Sequence, residues 1–260
     1  MEIDVLLSPA EFDALAHRDL SRTACVVFDI LRATSTAVMA LRHGARAVVP
    51  VRTVEEALAE RRCDPECLLA GERGGVRLLS AVTGGADFDL GNSPREFTPE
   101  RVAGRTIVTT TTNGTRAIRA SAAAAWVGIG AFLNLGAVRL ALEQQPWKHV
   151  VLVCSGTGEG PAYEDLAAAG ALIDRCRSLV TGMSDAATVA MGVWRDCGAS
   201  SLPIRERALN ARRLLELPDL AADVDFCLQI DTVDQVPILR DGRELRVEGA
   251  GMPTAPRSGD

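Results

Sequence analysis

Four short apolar runs end abruptly in polar or glycine-rich turns: ACVVFDILRATST (24–36), CLLAGERGG (67–75), IVTTTTNGT (107–115) and VVLVCSGTGEG (150–160). A run this apolar has no solvent face, so as a strand it must be covered on both sides. That is the situation of a parallel sheet between two layers of helices. Helix-like segments alternate with the runs, and the chain reads as a three-layer α/β/α fold with a mostly parallel sheet. The pattern predicts strands over 3–7, 24–29, 45–51, 67–70, 106–110, 125–129 and 149–154. Helices are expected over 9–18, 34–43, 54–61, 115–124, 133–144 and 164–179, with helical character throughout 184–230. Asp241-Gly242 reads as a hairpin turn between 236–240 and 244–247. No linker divides the chain. The expectation is one catalytic unit over 1–248, with two intertwined α/β subdomains as its variant and 249–260 as a flexible tail.

In open parallel sheets, ligands bind beyond the carboxyl ends of the strands, and the unusual polar segments all fall there. Asp29 ends a strand and is followed by Arg32, Thr34 and Ser35; a plain helix N-cap would use the same residues. Glu72 and Arg73 lie in a glycine-rich turn, where a surface salt bridge is the simpler reading. Asn92 and Ser93 precede Pro94, as any helix entry does. Thr111, Thr112, Asn113, Gly114 and Thr115 end a strand and open a helix whose first amides are free to meet an anion. Ser155 and Gly156 open the loop Gly156–Gly160, after which Glu164 and Asp165 stand in a first helical turn, a common place for acids.

Composition narrows the chemistry. Of 28 basic residues only Lys148 is a lysine, and Tyr163 is the single tyrosine, which excludes sites built on two lysines or a tyrosine–lysine pair. Genome bias explains most of the arginines. The net charge of −6 and the lack of a basic run argue against a nucleic-acid partner. No run approaches the ~20 apolar residues of a membrane span, and the acidic start is unlike a secretory signal, so a cytoplasmic protein is expected. Seven scattered cysteines and three histidines make no soft-metal centre, so any metal should be bound by oxygen.

The carboxylates Asp29, Glu72, Glu164 and Asp165, the arginines Arg32 and Arg73, and the hydroxyls and amides beside them suit phosphoryl chemistry, where positioning and charge neutralisation supply most of the catalysis. A covalent route of the haloacid-dehalogenase kind would need a second acid two residues after Asp29, where Leu31 stands. The Gly156–Gly160 loop leaves another reading open: a nucleotide- or S-adenosylmethionine-binding protein, or a methyltransferase.

Taken in order, FDILRATST, GERGG, GNSP, TTTNGT and CSGTGEGPAYEDLAAAG resemble the 2-phosphosulfolactate phosphatase family, often called ComB, and ALNARRLLELPDLAADVDFCLQIDTVDQVPIL resembles its C-terminal part. The resemblance implies an α/β/α enzyme that uses Mg²⁺ to release phosphate from 2-phospho-3-sulfolactate, as in coenzyme M synthesis. On that reading Asp29, Glu72, Glu164 and Asp165 would be the catalytic and metal-holding carboxylates. Arg32, Thr34, Ser35, Arg73, Asn92, Ser93, Thr111–Thr115, Ser155 and Gly156 would bind the substrate. The partner would be a small anionic phosphate ester, with a homodimer left open. The Ala208-Leu209-Asn210-Ala211 segment departs from the family's usual pattern, which leaves Arg212 and Arg213 without an assigned role.

Overall fold

The computed structural model describes residues 1–15 and 17–247. Eleven strands form one sheet: β1 (Glu2–Leu6), β2 (Thr23–Phe28), β3 (Ala47–Pro50), β4 (Leu68–Arg73), β5 (Val76–Arg77), β6 (Thr106–Thr110), β7 (Trp126–Gly130), β8 (His149–Cys154), β9 (Gly182–Met183), β10 (Ile238–Arg240) and β11 (Glu244–Arg246). Their order is β5-β4-β6-β3-β11-β10-β7-β2-β8-β1-β9. Helices cover the sheet, giving the α/β/α arrangement that the apolar runs demand. Every residue of β2 is buried, and all but the first of β7 and of β8. That is why these segments read as continuous hydrophobic runs with no alternation.

The sheet holds two parallel blocks. One is β9-β1-β8-β2-β7 and the other β3-β6-β4. Between them sits the hairpin β10/β11, antiparallel to β7 on one side and to β3 on the other. Three successive antiparallel pairings join the blocks. The hairpin turn is as expected: Asp241 and Gly242 both take left-handed φ, +52° and +62°, and Arg243 N closes on Arg240 O at 2.9 Å. Its place in the middle of the sheet is not visible in its own sequence.

Register sets the site. Phe28 of β2 pairs with both Gly130 and Cys154, so the strand ends are level and Asp29 and Ser155 emerge side by side. In the other block Gly71 pairs with Thr110, so Glu72 and Thr111 emerge together. The helices Ala33–Arg42 and Gly114–Ala120 follow β2 and β6 and begin in contact: a Cβ on Gly114 would stand 2.6 Å from Ala33 Cβ and 2.7 Å from Asp29 Oδ2. Only glycine permits that approach.

Several expected elements are shorter or shifted. The helix expected over 9–18 is a turn at Pro9–Glu11 and a four-residue helix Phe12–Leu15. The helix expected over 164–179 is Tyr163–Arg175, and the region 184–230 contains four helices, of which Asp185–Asp196 is the longest. The short edge strands β5 and β9, two residues each, carry no pattern long enough to read. The expected tail at 249–260 lies outside the described residues.

Candidate active site at the meeting strand ends

A cavity of about 300 Å³ opens where the two blocks' carboxyl ends meet. Asp29, Leu31, Arg32, Glu72, Asn92 and Thr111–Asn113 line one side. Gly156–Gly158, Asn210, Arg213, Leu214 and Leu217 line the other.

Two acids, Asp29 and Glu72, line it, and two more, Glu164 and Asp165, are buried beside them. Asp29 is half-buried; its Oδ1 accepts from Ala33 N at 3.1 Å, and no described group donates to Oδ2. Desolvation, reinforced by the charges of Glu72 and Glu164, pushes its carboxyl up to about 7. Asp165 is buried and accepts from Ile30 N at 2.8 Å and Gly156 N at 3.0 Å. Burial and the nearby Asp29 and Glu164 raise its pKa well above the usual carboxylate range. Glu164 is also buried, and burial raises it despite the hydrogen bond from Asn210 Nδ2 to Oε1 at 2.7 Å. Its Oε2 has no partner. Glu72 is held on three sides: Thr112 N and Thr112 Oγ1 each donate to Oε1 at 3.0 Å, and Gly75 N donates to Oε2 at 2.8 Å.

The two expected arginines part company. Arg32 lines the cavity and is almost wholly buried; Nη1 pairs with Asp223 Oδ2 at 2.7 Å, and Nη2 donates to Gly75 O at 2.6 Å. Arg73 does not line it. It follows Glu72 on one strand, and successive side chains point to opposite faces, so its guanidinium turns onto Glu72 O and Thr110. Several expected polar residues also hold structure: Thr34 Oγ1 bonds Asp29 O at 2.9 Å, Ser35 Oγ bonds Ile30 O at 2.9 Å, and Ser93 Oγ bonds Asp223 Oδ1 at 2.6 Å. Thr115 turns back onto Thr111, donating from N to Thr111 Oγ1 and from Oγ1 to Thr111 O, each at 3.2 Å. Asn92 lines the cavity and its carbonyl accepts from Thr36 Oγ1 at 2.9 Å. Thr111 and Thr112 line it as well, Thr112 with its side chain exposed. Ser155 is fully buried with its Oγ unpartnered.

Asn113 and the glycine loop lock together. Asn113 Nδ2 donates to Gly156 O at 2.9 Å and Gly158 O at 3.1 Å. Thr157 and Gly160 exchange backbone hydrogen bonds, 2.9 and 3.1 Å, and Gly156 N is taken by Asp165. Gly156 has φ +70°, and a Cβ there would meet Pro9 Cδ at 2.6 Å. A loop whose amides close on itself and on a carboxylate does not cradle a pyrophosphate, so the nucleotide reading finds no support. Burial pushes the Cys154 thiol well above its ordinary value, consistent with a packing residue and not a nucleophile.

Two site residues had escaped the sequence. Asp223 is fully buried and binds Arg32, Ser93 and, at 3.4 Å, Arg95. It lies four residues before buried Cys227 on the inward stripe of the helix Ala221–Cys227, and an acid on such a stripe is the available signal. Asn210 bridges Glu164 Oε1 and Thr157 Oγ1, both at 2.7 Å, and has no local pattern to betray it.

Can these residues hold Mg²⁺? Among the described residues no three His, Cys, Asp or Glu side chains converge as metal ligands. What the floor offers is one or two carboxylates with uncommitted oxygens, Asp29 Oδ2 and Glu164 Oε2, in a cluster short of positive charge. Mg²⁺ takes such a set, filling its other positions with water and phosphate oxygens, so the residues fit.

Fold and site together define an α/β/α protein of the kind that binds its ligand at the carboxyl ends of its strands, with acids and a buried arginine gathered there. Comparison with known proteins agrees and goes further. The family model for 2-phosphosulpholactate phosphatase matches residues 11–242. A probable 2-phosphosulfolactate phosphatase of Caldanaerobacter subterraneus subsp. tengcongensis is 38% identical, covering 89% of this chain and 93% of its own. Proteins of the same description from Thermotoga petrophila and Synechococcus sp. (strain JA-3-3Ab) are 38% and 40% identical, covering 85% and 82% of this chain and 90% and 88% of their own. The chain belongs to the 2-phosphosulfolactate phosphatase family, and its enzymatic class is phosphoric monoester hydrolase. No helix among the described residues is long and apolar enough to cross a membrane.

Proposed function

We propose that the protein is a Mg²⁺-dependent phosphatase that converts 2-phospho-3-sulfolactate, or a closely related 2-hydroxyacid phosphate, to the hydroxyacid and phosphate, the reaction type of coenzyme M synthesis. The observation that carries this reading is the set of under-neutralised carboxylates, of which Asp29 lines a cavity of about 300 Å³ and Glu164 and Asp165 are buried near it, in a chain of this family. Asp29 and Glu164 would hold the ion, with Glu72 and Asp165 around them. Bound there, Mg²⁺ supplies positive charge against the phosphoryl oxygens.

The chain's own groups do the remaining work. Asp223 and Gly75 O fix the Arg32 fork, leaving its other N–H groups for an anion. Glu72 holds the Gly74-Gly75 turn and Thr112 in place, and Asp165 ties Ile30 to Gly156 so that the ends of β2 and β8 cannot drift. Leu31, Leu214 and Leu217 face the cavity as an apolar wall that limits water around the ester.

Phosphate release from 2-phosphosulfolactate, 2-phospholactate and 3-phosphoglycerate, with and without Mg²⁺, tests the assignment. Release is expected to be fastest from 2-phosphosulfolactate and lost on chelation. No release from any of the three esters, or release indifferent to chelator, overturns it.

A further inference from the structure

Two arginines line the cavity among the described residues, and they are opposites. Arg32 is buried and committed to Asp223 and Gly75 O. Arg213, on the helix Leu209–Leu215, is exposed at the rim and makes no side-chain hydrogen bond or ion pair with any described residue. Its neighbours in the lining, Leu214 and Leu217, are apolar. An acidic chain that must admit a polyanion therefore has one cavity cation held ready and uncommitted.

We propose that Arg213 is the specificity determinant of the site: it binds the substrate's second anionic group, the carboxylate or sulfonate borne on a short carbon chain, while the floor takes the phosphate. This rests on the phosphatase reading for the identity of the floor ligand. The chemistry is that of a planar fork meeting a planar or tetrahedral oxyanion, with Leu214 and Leu217 packing the carbons between the two charges. Arg73, which sequence reasoning favoured for this task, is turned away from the cavity. Arg212, one position back, is exposed and outside the lining, which makes it a matched control for loss of charge alone.

Non-hydrolysable probes separate this idea from turnover. Binding of phosphonoacetate and of methylphosphonate is measured by calorimetry in the presence of Mg²⁺ for the wild type and for Arg213→Ala, Arg213→Lys and Arg212→Ala. The wild type should prefer phosphonoacetate by about tenfold or more, the worth of one charge-assisted pair. Arg213→Ala should bring that preference to about one by weakening phosphonoacetate alone, Arg213→Lys should keep part of it, and Arg212→Ala should keep all of it. The thermal midpoint of Arg213→Ala should match the wild type, since the side chain supports nothing. A wild type without preference, an unchanged preference in Arg213→Ala, or equal weakening of both probes overturns the inference. If the preference behaves as stated while no ester is hydrolysed, the inference stands and the phosphatase reading falls.

Discussion

Two buried acidic regions lie within one site and are built in opposite ways. Asp223 sits against Arg32 at 2.7 Å, with Ser93 and Arg95 on its other oxygen. Asp29, Glu164 and Asp165 have backbone amides and one asparagine for company, and no arginine contacts any of them. The first region is complete as it stands. The second carries a deficit of positive charge that a proton or a cation must fill: burial raises all three of its carboxyls, and repulsion from neighbouring acids adds to it at Asp29 and Asp165. A neutralised acid holds a side chain in place; an under-neutralised one prepares a binding event.

Substitutions at the two places should therefore differ in sign. Asp29→Asn is expected to lower phosphate release at least about a thousandfold, while the metal-free protein melts no lower than the wild type at pH 8, because the change removes a repelled charge. Full activity, or a large loss of stability, would break the contrast. Asp223→Asn leaves Arg32 buried beside a neutral amide and should cost about 3 kcal/mol in denaturant unfolding. An Asp223→Asn protein as stable as the wild type would show that the pair is not structural.

The smallest effect is a slope. The Asp29 carboxyl goes from 3.8 in the unfolded chain to about 7 in the fold, so the folded state binds the extra proton between those values. Stability of the metal-free protein should thus be greatest near pH 4 as far as this group is concerned and fall as pH rises toward 7. Melting curves between pH 5 and pH 8 should show a midpoint falling by a few degrees, flattened by Mg²⁺ or by Asp29→Asn; a midpoint that rises over this range in the wild type but not in Asp29→Asn would refute the assignment.

Local chemistry was legible where the chain itself sets it. The strand ends at Asp29, Glu72 and Thr111 were readable because a run buried on both faces announces itself, and the strand register then levels its neighbours. The Asp241-Gly242 turn was readable because two left-handed residues in succession have few other uses. Direction and partnership were not. Arg73 and Glu72 are adjacent in sequence, yet strand alternation sends one out of the cavity and the other to its edge. Arg32 meets Asp223 across 191 positions and Ser93 meets it across 130, separations over which no periodicity carries information. Arg213 stood in view as a residue without a role, and what distinguishes it from Arg212 is the face of the helix that turns to the cavity.

The placement of the β10/β11 hairpin has a consequence for how the protein is made. Residues 238–246 follow every strand they join, so during synthesis each parallel block can gather its own strands and helices early, while the seam between them stays open. The cavity draws its walls from both blocks, and the ribbon fills the seam between them. Filling of the seam thus waits for the last strands to be made and joins segments far apart in the chain, and until then the facing edges of β3 and β7 are bare strand edges exposed to wrong partners.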